Sequence, residues 1–271
     1  MAGQDAVKTA ARTLDLLEAF AKARGPLSLT EIAQRINTPI SSCHSLVRTL
    51  QARGYVYVLD SRKRVYPTKR LLAVAGAIAR HDPLLEKLAP ILEELRRDTG
   101  ETVLLGKRQD DHVTYLEVIE GTHIVRYTSS PGDTKPLHSS AIGKATLGLM
   151  DPAERAALVA RIDLPRVTPN TLTDRAALLE EIDRSATRGW YETRGENIAD
   201  VMAISVSFRI LDEGLGVALA GPIARMTENF DGYLARLKQA QAAFEALNAA
   251  EPGLRQKLEG AIHWTQPWTV R

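Results

Sequence analysis

Apolar residues in the first third of the chain recur at helical spacing in three segments separated by polar turns. Their repeat every three or four positions predicts a helix from Val7 to Ala23 and a shorter one from Leu29 to Ile36, with Thr30 as its N-cap. After the polar turn Asn37-Thr38-Pro39, the same periodicity predicts a third helix over residues 40–54. Two short helices joined by such a turn form the pattern of a helix-turn-helix.

The third predicted helix has two chemically different faces. Its apolar face carries Ile40, Cys43, Leu46, Val47 and Leu50, of which the last four are expected in the domain core. Its polar face contains no acidic residue and carries Ser41, Ser42, His44, Ser45 and Arg48. Hydroxyl, imidazole and guanidinium groups on one face can contact base edges in the major groove, with Arg48 best suited to a guanine. Taken alone, the pattern fits an ordinary amphipathic helix equally well.

A short β-hairpin is predicted directly after this helix. The β-prone segments 55–59 and 65–67 flank a polar turn whose cations are Arg62, Lys63 and Arg64. Such a hairpin resembles the wing of a winged helix. Cations at a hairpin tip are usually only solvated, but beside a candidate recognition helix they favour contacts with phosphates or the minor groove.

The rest of the chain mixes helices and strands. A helix over residues 68–80, ended by His81-Asp82-Pro83, is expected to connect two domains and to pack partly against a partner chain. Beyond it, strands are predicted at 102–105, 113–119, 124–127, 203–208 and 215–220, and helices at 84–99, 138–150, 171–188 and 226–248. Helices packed against a largely antiparallel sheet give an α+β domain. The expected organisation is 1–67, a linker helix 68–82, a domain 83–250 and a peripheral tail 251–271 anchored by Trp264 and Trp268.

Charge is unevenly distributed between these parts. Residues 1–80 hold 13 Lys and Arg against 5 Asp and Glu, whereas residues 81–271 hold 22 against 28. A basic first third suggests that this part meets a polyanion such as DNA. Cys43 is the only cysteine, which excludes intramolecular disulfides and fits a reducing cytoplasm. No apolar run reaches the 18 or so residues of a membrane span, so no membrane partner is expected.

Catalytic motifs do not emerge from the sequence. The six histidines never fall at metal-ligand spacing, and neither GxSxG nor a Walker-type glycine loop occurs. Ser140 and Lys144 are four residues apart, so no SxxK motif exists, and His138 beside Ser139 lacks a visible orienting group. We therefore predict no enzyme activity, catalytic residue, metal or cofactor. An α+β enzyme or metal-binding protein with an accessory basic N-terminal domain is the alternative.

Two stretches together carry a family resemblance. The first is Leu29–Ala33 followed by Pro39–Leu50, and the second is Tyr127–Gly132 followed by Pro136–Ala145. On these motifs the chain resembles IclR-type (isocitrate-lyase-regulator) transcriptional regulators over residues 5–248. The resemblance implies a winged helix-turn-helix, a linker helix and a GAF-like effector domain. It also implies homodimers, often paired into tetramers, that bind palindromic operators in double-stranded DNA as repressors or activators and respond to organic or aromatic acids.

Site residues also follow from the resemblance. Arg12 matches an arginine common in the family's first helix, where it is either a phosphate contact or the partner of a surface acid such as Asp15. The implied effector pocket comprises Ser139, Ser140, Ala141, Ile142, Ala199, Val201, Ala218 and Ala220. Independently of the family, the turn entering the helix at 138–144 offers unpaired backbone N–H groups that suit a carboxylate. Its small residues allow close approach of a ligand, but tight packing of a helix on the sheet requires small residues as well.

The chain departs from the family pattern in the implied pocket. Many members that bind small acids have a cysteine where Val201 stands and serines where Ala218 and Ala220 stand. Losing a thiol and two hydroxyls leaves a more apolar wall. A two-carbon oxoacid needs nearly every available donor, so a larger effector such as an aromatic carboxylate is favoured here.

Overall fold

The computed structural model describes residues 7–59, 63–79, 82–210 and 213–250. The chain divides into two compact units, Met1–Asp82 and Pro83–Arg271. Among the described residues, no helix combines the length and apolarity needed to cross a bilayer. The predicted wing residue Arg62 and the predicted tail 251–271, with Trp264 and Trp268, lie outside the described residues.

The first unit is a helix-turn-helix followed by a β-hairpin, as the periodicity predicts. Its core contains apolar residues from the inner faces of three helices, such as Leu16, Ile32 and Val47. The two strands of the hairpin contribute the buried residues Val56 and Val65. The elements are α1 (Lys8–Ala23), α2 (Leu29–Arg35), α3 (Ile40–Ala52), β1 (Val56–Leu59), β2 (Arg64–Pro67) and α4 (Arg70–Ala79). Strands β1 and β2 pair antiparallel, with Val58 opposite Val65.

Two details of this unit differ from the sequence prediction. Helix α2 is capped by Ser28 rather than Thr30, because the Ser28 hydroxyl accepts the Glu31 amide at 3.3 Å while the Ser28 amide donates to the Glu31 carboxylate at 2.7 Å. This reciprocal capping box satisfies two amides at once. Ile40, which the periodicity places on the apolar face of α3, is 55% exposed, because the core-facing repeat begins only at Cys43, after the first turn.

The second unit is built on one six-stranded sheet with helices on both faces, which confirms the α+β prediction. Its strands run in the order β5-β4-β3-β8-β7-β6, and all neighbours are antiparallel. The strands are β3 (Thr102–Gln109), β4 (His112–Ile119), β5 (Thr134–Pro136), β6 (Tyr191–Arg194), β7 (Val201–Ile210) and β8 (Glu213–Pro222). The helices are α5 (Pro83–Thr99), α6 (Ala141–Gly148), α7 (Pro152–Arg161), α8 (Arg175–Arg188), α9 (Ile223–Glu228) and α10 (Phe230–Ala250).

Side-chain alternation along the central strands creates two separate cores. On β8, Val217 and Leu219 join the core formed with α5 and α10, whereas Ala218 and Ala220 face α6 and the opposite core. Period-two alternation is what a sheet covered on both faces requires. On β7 and β8 the first face carries large side chains such as Met202 and Leu219, whereas the second carries small residues such as Ala203 and Gly216, so α6 can approach these strands closely.

Several element boundaries in this unit correct the prediction. Residues 124–127 form no strand: Ile124 is 97% exposed, and the edge position beside β4 is taken by β5 instead. The helices predicted from 138 and 171 begin at Ala141 and Arg175, because the side chains of Ser140 and Asp174 cap them. The closing helix is split into α9 and α10. Strand β6 escaped prediction because its four residues are mostly polar.

Candidate functional site

Helix α3 presents a polar, acid-free face to solvent. Ser41, His44, Ser45 and Arg48 are exposed and Ser42 is half-buried, whereas Cys43, Val47 and Leu50 lie in the core and Leu46 packs against it. The core and polar positions of this helix are therefore divided as the sequence predicts. Pro39 precedes the helix and provides no side-chain cap, which leaves the first amides directed outward.

The polar groups of α3 differ in how far they are already engaged. The Ser45 hydroxyl donates to the Ser41 carbonyl at 3.2 Å, so its hydrogen is occupied within the helix. Within the described part of the chain, neither His44 nor Arg48 has a hydrogen-bond or ion-pair partner. Arg48 is thus the strongest uncompensated donor on this face.

Arg12 of α1 lies beside the same face. Together with Ser42 and Ser45 it lines a groove between α1 and α3, completed by Thr9, Leu46 and Thr49. No ion pair joins Arg12 to Asp15 among the described residues, although the sequence allowed one. Arg12 therefore adds a cation to the surface formed by the polar side of α3.

The two described cations of the wing have different surroundings. Lys63 is exposed, with φ of +49°, at the turn of the hairpin. Arg64 is turned back onto the domain: it donates to the Pro26 carbonyl at 2.7 Å and lies 3.5 Å from the Glu31 carboxylate. Arg64 thereby ties the hairpin to the cap of α2, so its charge is already partly compensated.

In the second unit, a cavity lies between the sheet and the N-terminus of α6. The structure encloses about 30 Å³ of free volume there, within a lining that surrounds about 370 Å³ of space partly open to solvent. Five of the eight predicted effector residues line it, namely Ser139, Ser140, Ala141, Val201 and Ala220. The remaining lining residues are Leu104, Tyr115, Tyr127, Lys135, Thr193, Asn197, Ile198 and Ala203.

Three predicted effector residues lie elsewhere. Ile142 is buried against Gly106 and Gly216 of the sheet, Ala218 is buried in the core facing α6, and Ala199 is exposed in the turn before β7. Strand alternation places Ala203 beside Val201 on the cavity face, which sequence spacing alone would have indicated. Tyr127 stands in the quoted family motif, whereas no local signal distinguishes Tyr115 or Lys135.

The small residues of the 138–144 stretch serve two different purposes. Ser139, Ser140 and Ala141 line the cavity, as expected for a ligand site. Gly143 does not: a Cβ there would stand 2.2 Å from the Leu137 carbonyl oxygen. Close packing therefore accounts for Gly143, whereas the ligand explanation stays a prediction for the three residues that line the cavity.

The N-terminus of α6 has free donors beside the cavity. The Ser140 hydroxyl accepts the Gly143 amide at 3.3 Å. The amides of Ala141 and Ile142 have no partner among the described residues, although both residues are buried. Unpaired buried amides at the positive end of a helix favour an anionic group.

Two tyrosines supply further polar groups. Burial raises the pKa of Tyr115, and its hydrogen bonding with Tyr127 raises that pKa further, while the Ser140 hydroxyl opposes the rise. The Tyr115 phenol is therefore neutral at physiological pH and can act as donor or acceptor.

A buried ion pair holds the loop that closes one side of the cavity. The Lys144 ammonium lies 2.6 Å from the Glu196 carboxylate and donates to the Glu192 carbonyl at 3.2 Å. The next residue, Asn197, donates to the Ser139 hydroxyl at 3.2 Å. Burial raises the pKa of Glu196, and the ammonium of Lys144 offsets part of that rise. The pair thus positions the Asn197–Ile198 wall against α6.

His138 is not paired with a nucleophilic hydroxyl in this structure. Its imidazole is fully buried, its Nε2–H donates to the Pro165 carbonyl at 3.0 Å, and burial lowers its pKa. Ser139 accepts from Asn197 and Ser140 caps α6, so neither hydroxyl is paired with the imidazole. No group of three or more potential metal ligands of the His, Cys, Asp or Glu type occurs in the described ranges.

Comparisons with known proteins agree with this architecture. The IclR helix-turn-helix domain model matches residues 9–60, and the model described as bacterial transcriptional regulator IclR C-terminal matches residues 76–245. The chain is 34% identical over 222 residues to the HTH-type transcriptional regulator BhcR of Paracoccus denitrificans, covering 80% of this chain and 78% of that protein. It is 28% identical over 229 residues to the transcriptional repressor IclR of Escherichia coli, covering 82% and 83%.

Solved structures show the same fold. IclR of Thermotoga maritima superposes with a TM-score of 0.75 at 24% identity, covering 89% of this chain and 99% of that one. An IclR homolog from Microbacterium hydrocarbonoxydans, complexed with 4-hydroxybenzoate, superposes with a TM-score of 0.72 at 22% identity, covering 90% and 100%. The chain belongs to the IclR family of bacterial transcriptional regulators.

Proposed function

We propose that this protein binds a palindromic operator through α3 and the wing. We further propose that its affinity for the operator changes when an organic acid binds in the cavity beside α6. The observation that carries the DNA-reading part is the acid-free, exposed face of α3, on which Arg48 has no partner among the residues that the structure describes. The observation that carries the sensing part is the cavity with free amides at the N-terminus of α6.

The proposed DNA contacts follow from the exposure of each predicted residue. Base edges are assigned to Ser41, Ser42, His44, Ser45 and Arg48, and phosphates to Arg12 and Lys63. Arg62 stays in the proposal on sequence grounds alone. Arg64 is reassigned from DNA contact to support of the wing, because its guanidinium already binds Pro26 and Glu31.

A homodimer is part of this proposal. Helix α4 has no buried side chain among its described residues, and Leu72 and Ile78 are 71% and 70% exposed. Apolar exposure of this kind marks an interaction surface, and a second copy of the chain would match the two-fold symmetry of a palindrome. Pairing of dimers into tetramers remains a family expectation.

The proposed effector is a partly apolar acid, with aromatic carboxylates preferred. Val201, Ala203 and Ala220 form an apolar wall, while Ser139, Ser140 and the amides of α6 offer donors at one end. A pocket with one polar and one apolar side fits an amphipathic anion better than a two-carbon oxoacid. The related Microbacterium protein was crystallised with 4-hydroxybenzoate, which makes that compound a reasonable first probe.

The DNA-reading part is tested by selecting binding sites from random duplex DNA with the full-length protein. We expect a palindrome whose half-sites are separated by about one helical turn or a multiple of it. Failure to enrich any common sequence would contradict the proposed operator binding.

The sensing part is tested by thermal shift and by gel shift on the selected operator, with 4-hydroxybenzoate, benzoate, glyoxylate and pyruvate. We expect the aromatic acids to raise the melting temperature and to change operator affinity. Stabilisation by glyoxylate or pyruvate without stabilisation by the aromatic acids would contradict the proposed effector class.

A further inference from the structure

Lys135 occupies an unusual place for a lysine. It lies on β5, the edge strand of the sheet, and pairs with Val113 of β4. Directly paired residues of antiparallel strands project to the same face, and Val113 is fully buried in the core that faces α6. The Lys135 side chain therefore projects to the covered face of the sheet, where it is half-buried and lines the cavity.

The charge of Lys135 is not neutralised by a close acid. Within the described part of the chain, no carboxylate lies within 4 Å of its ammonium. The nearest acid in sequence, Asp133, is engaged by Ser129 and by the Ser130 amide at 2.9 Å. The pKa of Asp133 is lowered by those two hydrogen bonds first and by the charge of Lys135 less than by either of them.

The other cavity residues are neutral. The lining contains tyrosine, serine, threonine and asparagine as polar residues, and Lys135 is the one ionisable cation among the lining residues identified in the described chain. The apolar wall formed by Val201, Ala203 and Ala220 also belongs to this lining. A half-buried, unpaired ammonium in such surroundings attracts an anion more strongly than an exposed lysine does.

We propose that Lys135 is a specificity-determining residue that binds the carboxylate of the effector and makes the pocket select acids over neutral analogues. This inference rests on the proposed sensing function of the cavity and adds to it the residue that reads the charge. It differs from the family expectation, which places recognition on the start of α6 and on positions 199–201 and 218–220.

A different role for Lys135 would also follow from its position. Inward-pointing charges on edge strands discourage pairing of one sheet with another. That role predicts aggregation when the charge is removed, with no effect on ligand affinity, so the two explanations differ in a measurable way.

The test measures binding to full-length wild type, Lys135→Gln and Lys135→Arg by calorimetry. The probes are matched pairs of acid and neutral amide: benzoate with benzamide, 4-hydroxybenzoate with 4-hydroxybenzamide, and phenylacetate with phenylacetamide. Lys107→Gln is the matched control, since it removes the same charge from the same sheet at a lysine that pairs with Glu213 outside the cavity lining.

We expect wild type to bind at least one acid more tightly than its amide. Lys135→Gln should weaken the acid about 10-fold or more while leaving the amide unchanged, and Lys135→Arg should retain most of the acid affinity. Lys107→Gln should behave as wild type. Light scattering of each variant records aggregation.

Equal acid affinity in wild type and Lys135→Gln would overturn the proposal, and aggregation of Lys135→Gln in that case would assign Lys135 to edge protection. An enriched operator together with no binding of any acid by wild type would overturn the assignment of Lys135 and the aromatic effector class, while leaving DNA reading intact. Failure to enrich an operator would instead count against the regulator proposal alone.

Discussion

Arg48 shows how one side chain can carry a functional assignment. It is exposed in the second half of the polar face of α3, while Val47, its neighbour in sequence, is buried in the core. An arginine without an intramolecular partner can place two donors on the O6 and N7 atoms of guanine. The consequence is a testable loss of both affinity and selectivity.

Arg48→Ala is expected to weaken operator binding by about 1–3 kcal/mol and to relax the preference at one base pair of each half-site. Gel shifts with the selected operator and with single-base variants measure both effects. Arg53→Ala, which removes an arginine from the C-cap of the same helix, serves as the control and should leave base preference unchanged. Unchanged affinity and preference in Arg48→Ala would contradict the groove assignment.

Gly143 illustrates a residue whose role is purely steric. A Cβ at this position would meet the Leu137 backbone, which cannot move aside as a flexible side chain could. Gly143→Ala is therefore expected to destabilise the second unit by about 3 kcal/mol, lowering its melting temperature by roughly 8 °C.

Gly232→Ala is the matched control for that experiment. Gly232 is also helical, but beyond its chain neighbours and the backbone of its own helix no described atom lies within 4 Å of the position that its Cβ would take. Differential scanning calorimetry should show an unchanged or slightly raised melting temperature for Gly232→Ala. A Gly143→Ala protein that melts like wild type would show that the backbone of Leu137 yields more easily than expected.

At the scale of elements, the contact between α6 and the loop before β7 depends on a buried charge pair. Lys144 and Glu196 have side chains that are 1% and 10% exposed. Removing one partner leaves the other charge buried without compensation, which costs more than removing both. The pair therefore fixes the position of the cavity wall and contributes little net stability to the fold.

Lys144→Met is expected to lower the unfolding free energy of the second unit by about 3–5 kcal/mol at neutral pH. The double variant Lys144→Met/Glu196→Leu should recover much of this loss. Urea denaturation of wild type, both single variants and the double variant measures the coupling. Additive effects of the two substitutions would contradict the assigned pairing.

The pH dependence of Lys144→Met gives an independent readout. Burial already raises the pKa of Glu196 in the folded protein, and loss of the ammonium raises it further. A carboxyl group with a raised pKa in the folded state loses stabilisation as pH rises through that pKa. The deficit of Lys144→Met relative to wild type should therefore shrink as pH falls toward about 5.

For the whole molecule, the division of charge separates the two tasks. The 13 basic and 5 acidic residues of positions 1–80 favour association with DNA, whereas the acidic remainder, with 22 against 28, is repelled by it. Only the first part is then expected to displace counterions from the duplex. The salt dependence of operator affinity can therefore be calculated from the few cations of the first part that contact phosphates.

The logarithm of operator affinity is expected to fall with the logarithm of salt concentration with a slope of about −4 or steeper for a dimer. Lys63→Ala should reduce the magnitude of the slope by about two, one contact from each copy, whereas Lys107→Gln should leave it unchanged. Fluorescence anisotropy over a range of salt concentrations measures the slope. A flat response would contradict phosphate contacts by α1 and the wing.

The sequence alone was sufficient for the helix-turn-helix, the hairpin, the inward and outward faces of α3 and the α+β character of the second unit. These features depend on hydrophobic periodicity within short segments, because a helix or strand buries residues at a period set by its own backbone. The two motif stretches added the family, and with it the region of the cavity beside α6.

Tertiary structure decided which groups share a site. Lys135 reaches the cavity because it pairs with Val113, and Tyr115 joins it from the neighbouring strand, although neither residue carries a local signal. Sequence reasoning assigned Arg64 to DNA because its partner Glu31 lies 33 positions away, and a pairing over that distance is not visible in the local sequence. Strand register and long-range packing bring together residues that are distant in sequence, whereas local periodicity indicates which face a residue occupies but not which distant residue lies beside it.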